Sequence, residues 1–185
     1  MQTYLALLRG INVGGKNTVS MAKLKECLQK LGFEDVATYI NSGNVIVSSN
    51  KKASAVQAEI EQALLDNFKL DTELIKVLIL THKQLKSIID DKPKGFGEQP
   101  EKYYSDAIFL MDISVDEALE VFDPKEGIDA IWPGKGVIYS QRLGAQRTKS
   151  RLGKIIGTKP YKSMTIRSWN TTTKLLKLLD GLDPK

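Results

Sequence analysis

Short apolar blocks, separated by glycine-rich and polar turns, run along the chain, and their spacing predicts most of its elements. Residues 3–9 are a strand-length block with Leu5 and Leu7 on one face and Tyr4, Ala6 and Leu8 on the other. Both faces are apolar, whereas a sheet face left to solvent would alternate with polar residues. From Ser20 the period changes. Met21, Leu24, Cys27, Leu28 and Leu31 recur at helical spacing, which predicts a helix over 20–31 that stops at Gly32. Cys27 lies on its apolar side and reads as a buried structural thiol. Strands at 36–40 and 45–48 flank Asn41-Ser42-Gly43-Asn44, residue types suited to a turn, so the pair closes a hairpin. Val56, Ile60, Ala63, Leu64 and Leu65 stripe a helix over 54–68. A fourth strand is expected over 74–80, beginning at Leu74. Thr81 and Gln84 then form a capping box for a third helix that ends near residue 90.

After a turn-rich connector the order returns. A strand is expected at 104–111, a helix capped by Ser114 through 122, and a hairpin of 128–132 and 136–140 over Pro133-Gly134-Lys135. A helix at 149–156, a strand at 164–167 and a last helix at 169–179 follow. The hairpins match residue by residue: Val36-Ala37-Thr38-Tyr39-Ile40 aligns with Ile128-Asp129-Ala130-Ile131-Trp132, and Val45-Ile46-Val47-Ser48 with Val137-Ile138-Tyr139-Ser140. The fold class expected is α+β, a tandem duplication of a ferredoxin-like βαββαβ unit, each followed by an extra helix. The repeats are placed at 1–92 and 103–185, with a linker at 93–102.

This topology brings separate segments together. In the split motif strand three lies between strands one and two, so the loop after strand one shares a sheet edge with the turn between strands two and three. Arg9, Gly10, Asn12, Gly14, Gly15, Lys16, Asn17, Asn41, Ser42 and Asn44 then line one candidate ligand site beneath the first helix's N-terminus. Free N–H groups and the helix dipole favour anions there. Gly10-x-x-x-x-Gly15-Lys16 starts like a P-loop, but Asn17 replaces the required Ser or Thr and the helix begins late. The alternatives are a polar-ligand site of another kind, or a glycine-rich turn whose asparagines only hydrogen-bond loop backbone. No carboxylate pair, histidine or cysteine is placed there for proton transfer or nucleophilic attack, so no catalytic residue is assigned.

Charge adds a second candidate. The chain carries a net +5, but residues 141–185 alone hold 11 basic and 2 acidic side chains, with no acidic residue between Gln141 and Leu179. Such a tract suits phosphate-rich partners, although a solvated basic face is its commoner meaning. Arg142, Arg147, Lys149, Arg151, Arg167, Trp169, Asn170 and Lys174 are the nucleic-acid-binding candidates, on two helices and their flanks. Lys149 and Arg151 near an expected cap at Thr148 or Ser150 would oppose the helix dipole. Trp169 could stack a base, its more frequent role being core. One cysteine and one histidine exclude zinc and iron–sulfur sites and an internal disulfide. The identity of any cofactor is unknown from the sequence. His82 is read as incidental. No membrane-length apolar run and no signal peptide are seen, which points to a cytoplasmic protein.

Leu7-Leu8-Arg9-Gly10-Ile11-Asn12-Val13-Gly14-Gly15-Lys16-Asn17, with Leu31-Gly32-Phe33, Thr38-Tyr39-Ile40 and Ser42-Gly43-Asn44-Val45, resembles the bacterial family catalogued as domain of unknown function 1697. Thr165-Ile166-Arg167-Ser168-Trp169-Asn170-Thr171 resembles its C-terminal signature, in which asparagine precedes the tryptophan where this chain has Ser168. The resemblance implies a duplicated α+β fold in a bacterial cytoplasmic protein and implies no activity. The leading reading is a non-catalytic binding protein for a phosphate-bearing ligand, nucleic acid or nucleotide. The alternatives are an enzyme acting on a small phosphorylated substrate at the glycine-rich loop, and a structural or regulatory homo-oligomer.

Overall fold

The computed structural model describes residues 1–71 and 75–182; Leu74, the expected start of the fourth strand, lies outside them. The chain divides into two compact units, Met1–Leu85 with Leu175–Lys185, and Lys86–Lys174. Each contains a four-stranded antiparallel sheet, so the architecture is α+β.

In the first unit, β1 (Gln2–Arg9), β2 (Glu34–Tyr39), β3 (Asn44–Ser49) and β4 (Lys76–Thr81) stand in the order β2-β3-β1-β4. β3 therefore separates β1 from β2. Tyr4, Ala6 and Leu8 face a core completed by Met21, Leu24 and Leu28 of α1 (Met21–Lys30) and Val56, Ile60, Ala63 and Leu64 of α2 (Ala53–Asn67). Ser20 caps α1, its Oγ accepting the Lys23 N–H at 3.3 Å. Gly32, at φ 86°, ends it, the left-handed position glycine takes most easily. Two stripe residues differ from expectation. Cys27 is only half-buried, because Leu24 and Leu28 occupy the centre of the face, and Leu65 points outward at 43% exposure. The capping box at Thr81 is formed: its N–H donates to Gln84 Oε1 (2.8 Å) and its Oγ1 accepts the Gln84 N–H (3.2 Å), starting α3 (His82–Asp90).

In the second unit, β5 (Tyr103–Leu110), β6 (Asp129–Gly134), β7 (Val137–Leu143) and β8 (Met164–Ser168) repeat that order as β6-β7-β5-β8. Ser114 caps α4 (Val115–Leu119) in a reciprocal box with Glu117, but this helix ends well before residue 122. The hairpin turns on Lys135-Gly136, and Pro133 stays within β6, an edge strand where a missing N–H is tolerated.

The expected helix over 149–156 does not form. Residues 144–163 instead make three 3-10 turns, Gly144–Lys149, Leu152–Ile155 and Pro160–Ser163. Leu152 and Ile155, three apart, are buried, whereas Ile156 is 66% exposed. This is the three-residue repeat of a 3-10 turn. Gly153, Gly157 and Pro160 remove the propensity that a longer helix would need. The last helix, α5 (Trp169–Asp180), is present as expected. Among the described residues no helix is long and apolar enough to cross a membrane.

The inward stripe can be checked directly. Ile60→Ala should destabilise the protein by about 2–5 kcal/mol in urea unfolding, whereas Leu65→Ala, further along the same helix but facing out, should stay within about 0.5 kcal/mol.

Candidate functional site

The loop after β1 is a miniature hairpin. The Asn12 N–H donates to Asn17 O and the Lys16 N–H to Val13 O, both at 3.0 Å. Gly14 and Gly15 turn its tip at φ 57° and 75°, the positive pair a type I′ turn demands. A phosphate cradle leaves consecutive N–H groups aimed at the ligand; here the hairpin takes those of Asn12 and Lys16. Loop and turn do meet, as the strand order requires. Asn12 Nδ2 donates to Asn41 O (2.9 Å) and Val19 O (3.0 Å), and its Oδ1 accepts the Val19 N–H (2.8 Å). The Leu8 N–H donates to Gly43 O at 2.8 Å, and a Cβ on Gly43 would lie 2.8 Å from that of Leu8.

The polar side chains at this edge hold the backbone. Asn17 bonds Gly10 O (2.8 Å) and the Asp71 N–H (2.7 Å), while buried Asn44 donates to Tyr39 O (2.9 Å) and Ser42 Oγ (3.0 Å). Arg9 is half-buried opposite Lys76 on β4. Asn41, Ser42 and Lys16 are exposed. Asn12, Asn17 and Asn44 thus support the backbone of this edge.

The basic tract is arranged differently from the two helices expected. Arg142 lies on β7; Arg147 and Lys149 lie in the first 3-10 turn; Lys174 is exposed on α5. Arg151, exposed, pairs with Asp123 at 3.0 Å, and its N–H donates to Asp129 Oδ2 at 2.8 Å. Neither Thr148 nor Ser150 caps a helix, so no dipole opposes Lys149 and Arg151. Arg167 and Trp169 are core residues, 6% and 7% exposed. Arg167 donates to Thr165 Oγ1 (3.0 Å) and Ile166 O (2.9 Å), and burial pushes its guanidinium down to about 10. The Trp169 ring meets Phe96 edge-on, centroids 5.0 Å apart, and Gly97 admits it, since a Cβ there would collide with the indole.

Beside Trp169 opens a cleft of about 150 Å³ lined by Pro100, Tyr103, Tyr104, Ser105, Asp106, Ser168 and Asn170. Its walls are the first half of β5 and the start of α5, where Ser168 Oγ accepts the Thr171 N–H at 3.2 Å as the cap. Tyr104 is 49% exposed, with the Arg142 guanidinium 5.8 Å from its ring centre; Lys102 Nζ stands 5.1 Å from the Tyr103 ring. Asp106 Oδ2 is 3.6 Å from Arg142 Nη2. Burial raises the Asp106 carboxyl above its usual value, and Arg142 only partly offsets this. An aromatic wall and a carboxyl with a raised pKa line the cleft, with Arg142 beside both Tyr104 and Asp106; such an arrangement marks candidate binding sites.

The profile of a family described as protein of unknown function, DUF1697, matches residues 1–139. The chain belongs to the DUF1697 family. The solved structure of a conserved bacterial protein from Streptococcus pneumoniae is similar to it at 26% identity and a TM-score of 0.79, over 96% of this chain and 98% of that one. No curated protein matches in sequence.

The cleft of this DUF1697 protein includes Asn170 and Trp169 from the sequence candidates, with Arg142 alongside. Asp106, Tyr103 and Tyr104 were not among them. The available signal was Asp106 itself, a residue strands disfavour, placed directly before the apolar run Ala107 to Leu110.

Two measurements follow. Asn12→Ala strips three backbone bonds and should cost about 1–3 kcal/mol, whereas Lys16→Ala at the hairpin tip should be nearly neutral, as read by urea unfolding. For Asp106 the folded carboxyl holds its proton more tightly than the unfolded one. Its contribution is therefore fully present below the unfolded value and lost as pH rises through the folded one. Asp106→Asn should accordingly raise the melting temperature at pH 7, with the gain vanishing below about pH 4.

Proposed function

We propose that this protein binds single-stranded nucleic acid, with the irregular segment 144–163 and its approaches tracking the phosphates. The observation that carries this reading is the run of exposed cations on that segment. Arg147, Lys149, Lys159 and Lys162 are exposed and make no ion pair among the described residues, and no acidic residue lies within the stretch. Arg151 and Lys154 converge on Asp123 at 3.0 and 3.4 Å, still at the surface. At Arg147, Lys149 and Lys162 phosphates would displace counterions, which is a large source of non-specific affinity.

The single strand is favoured over the duplex because the basic segment 144–163 presents no α-helix to a major groove. Major-groove recognition uses an α-helix or a two-stranded ribbon, and the basic helix expected at 149–156 is a set of 3-10 turns. An irregular basic track with an exposed tyrosine at its entrance suits a flexible strand. A cytoplasmic location accords with such a partner. The same reading takes the two sheets, with their matching strand orders, as a duplicated ferredoxin-like unit in which the second copy has lost one helix.

Fluorescence anisotropy of a labelled oligothymidylate, titrated at several salt concentrations, tests this. The logarithm of affinity should fall linearly with the logarithm of salt. Arg147→Ala, Lys149→Ala and Lys162→Ala combined should flatten the slope by about two. An unchanged slope in the triple variant, or binding indifferent to salt, would overturn the reading.

A further inference from the structure

We propose that the cleft between β5 and the start of α5 is a base subsite selective for guanine, in which the Asp106 carboxylate accepts the two N–H groups of the Watson–Crick edge. This rests on the nucleic-acid reading above and names what one part of the surface selects.

Size sets the first limit. At about 150 Å³ the cleft is below the roughly 300–1,000 Å³ of pockets that enclose whole ligands. It suits one planar group presented by a longer molecule. The exposed Tyr104 ring, already backed by the Arg142 guanidinium, offers a face on which a base can stack, a sequence-tolerant contact in itself.

Selectivity then falls to the carboxylate. An ionised carboxylate accepts through both oxygens and donates nothing. Guanine presents two adjacent donors on its Watson–Crick edge, N1–H and the exocyclic amine, which match it. Adenine and cytosine each pair one amino donor with a ring nitrogen whose lone pair would face the carboxylate. Thymine and uracil place one N–H between two carbonyl oxygens. Asp106 is held for this role, half-buried and 3.6 Å from Arg142, and the raised carboxyl pKa marks a group short of compensating partners. Ser168, the register partner of Asp106 on β8, and Asn170 at the start of α5 also line the cleft and offer a hydroxyl and an amide to the base's carbonyl oxygen.

The phosphate track begins at the mouth of this cleft. The Gly144 N–H donates to Lys102 O at 2.8 Å, and a Cβ on Gly144 would lie 3.5 Å from the Tyr104 ring. A base seated against Tyr104 therefore leaves its backbone beside the first 3-10 turn, where Arg147 and Lys149 stand.

The test compares a labelled twelve-thymidine oligonucleotide with versions carrying one central guanine, adenine or cytosine, by anisotropy at fixed salt. A single guanine avoids quadruplex formation. The wild-type protein should bind the guanine oligonucleotide about tenfold tighter than the other three. Asp106→Asn, confirmed folded by its thermal melt, should bring that ratio near unity, and Tyr104→Ala should weaken the guanine oligonucleotide most. Equal, salt-dependent affinity for all four overturns the guanine subsite and leaves the nucleic-acid reading standing. Salt-dependent binding to none of them overturns both. A guanine preference that survives Asp106→Asn overturns the role given to the carboxylate.

Discussion

Residues Tyr4 to Leu8 of β1 are no more than 3% exposed, so this strand must pair both backbone edges and pack both faces at once. Unpaired peptide groups at such burial are costly, and β3 on one side with β4 on the other satisfies them. Once β1 is central, the rest of that end of the sheet is constrained. Its exit loop emerges where the 40–43 turn emerges, and the Leu8–Gly43 and Asn12–Asn41 hydrogen bonds lock the two together. The second unit obeys the same constraint. Ala107, Ile108 and Phe109 of β5 are 2% exposed or less, between β7 and β8.

That constraint explains which parts of the chain were legible as sequence. A strand buried on both faces reads as an unbroken apolar block, and Tyr4-Leu5-Ala6-Leu7-Leu8 is one. Local caps also read well, because Ser20, Thr81-Gln84 and Ser114-Glu117 act within three residues of themselves. The segment 149–156 misled because Leu152, Ile155 and Ile156 fit a helical stripe and a 3-10 turn equally. Only the burial of the first two and the exposure of the third separate the cases. Trp169 and Arg167 were ambiguous for a related reason: a cation beside an aromatic has the same spelling at the surface and in the core.

The two candidate sites separate along the same line. In the first unit the glycine-rich loop was conspicuous as a motif, but Asn12, Asn17 and Asn44 direct their side chains at backbone groups of their own and neighbouring segments. Such residues are needed because several loop positions have positive φ, Asn12 at 53° and Asn17 at 49° among them. Asparagine is one of the few side chains that tolerates this conformation while repaying it with a local hydrogen bond. Much of that density of special residues serves the turn's own geometry. In the second unit the cleft was invisible as a motif, since β5, the α5 cap and residues 97–100 contribute to it from distant positions.

Asp106 shows why such a place can hold function. A carboxyl on a buried strand loses hydration, and Arg142 at 3.6 Å is too distant to replace it fully, so the ionised form is disfavoured in the folded protein. An apolar or amide side chain in the same strand position would remove that conflict. Local structure therefore gives no reason for a carboxylate there. Positions where sequence and stability disagree are where binding sites are expected. Here the disagreement coincides with an aromatic wall, a cation and the entrance of a basic track. In the proposed reading these neighbours turn an electrostatic liability into a recognition element, because a ligand with two N–H donors would supply the partners that the fold withholds.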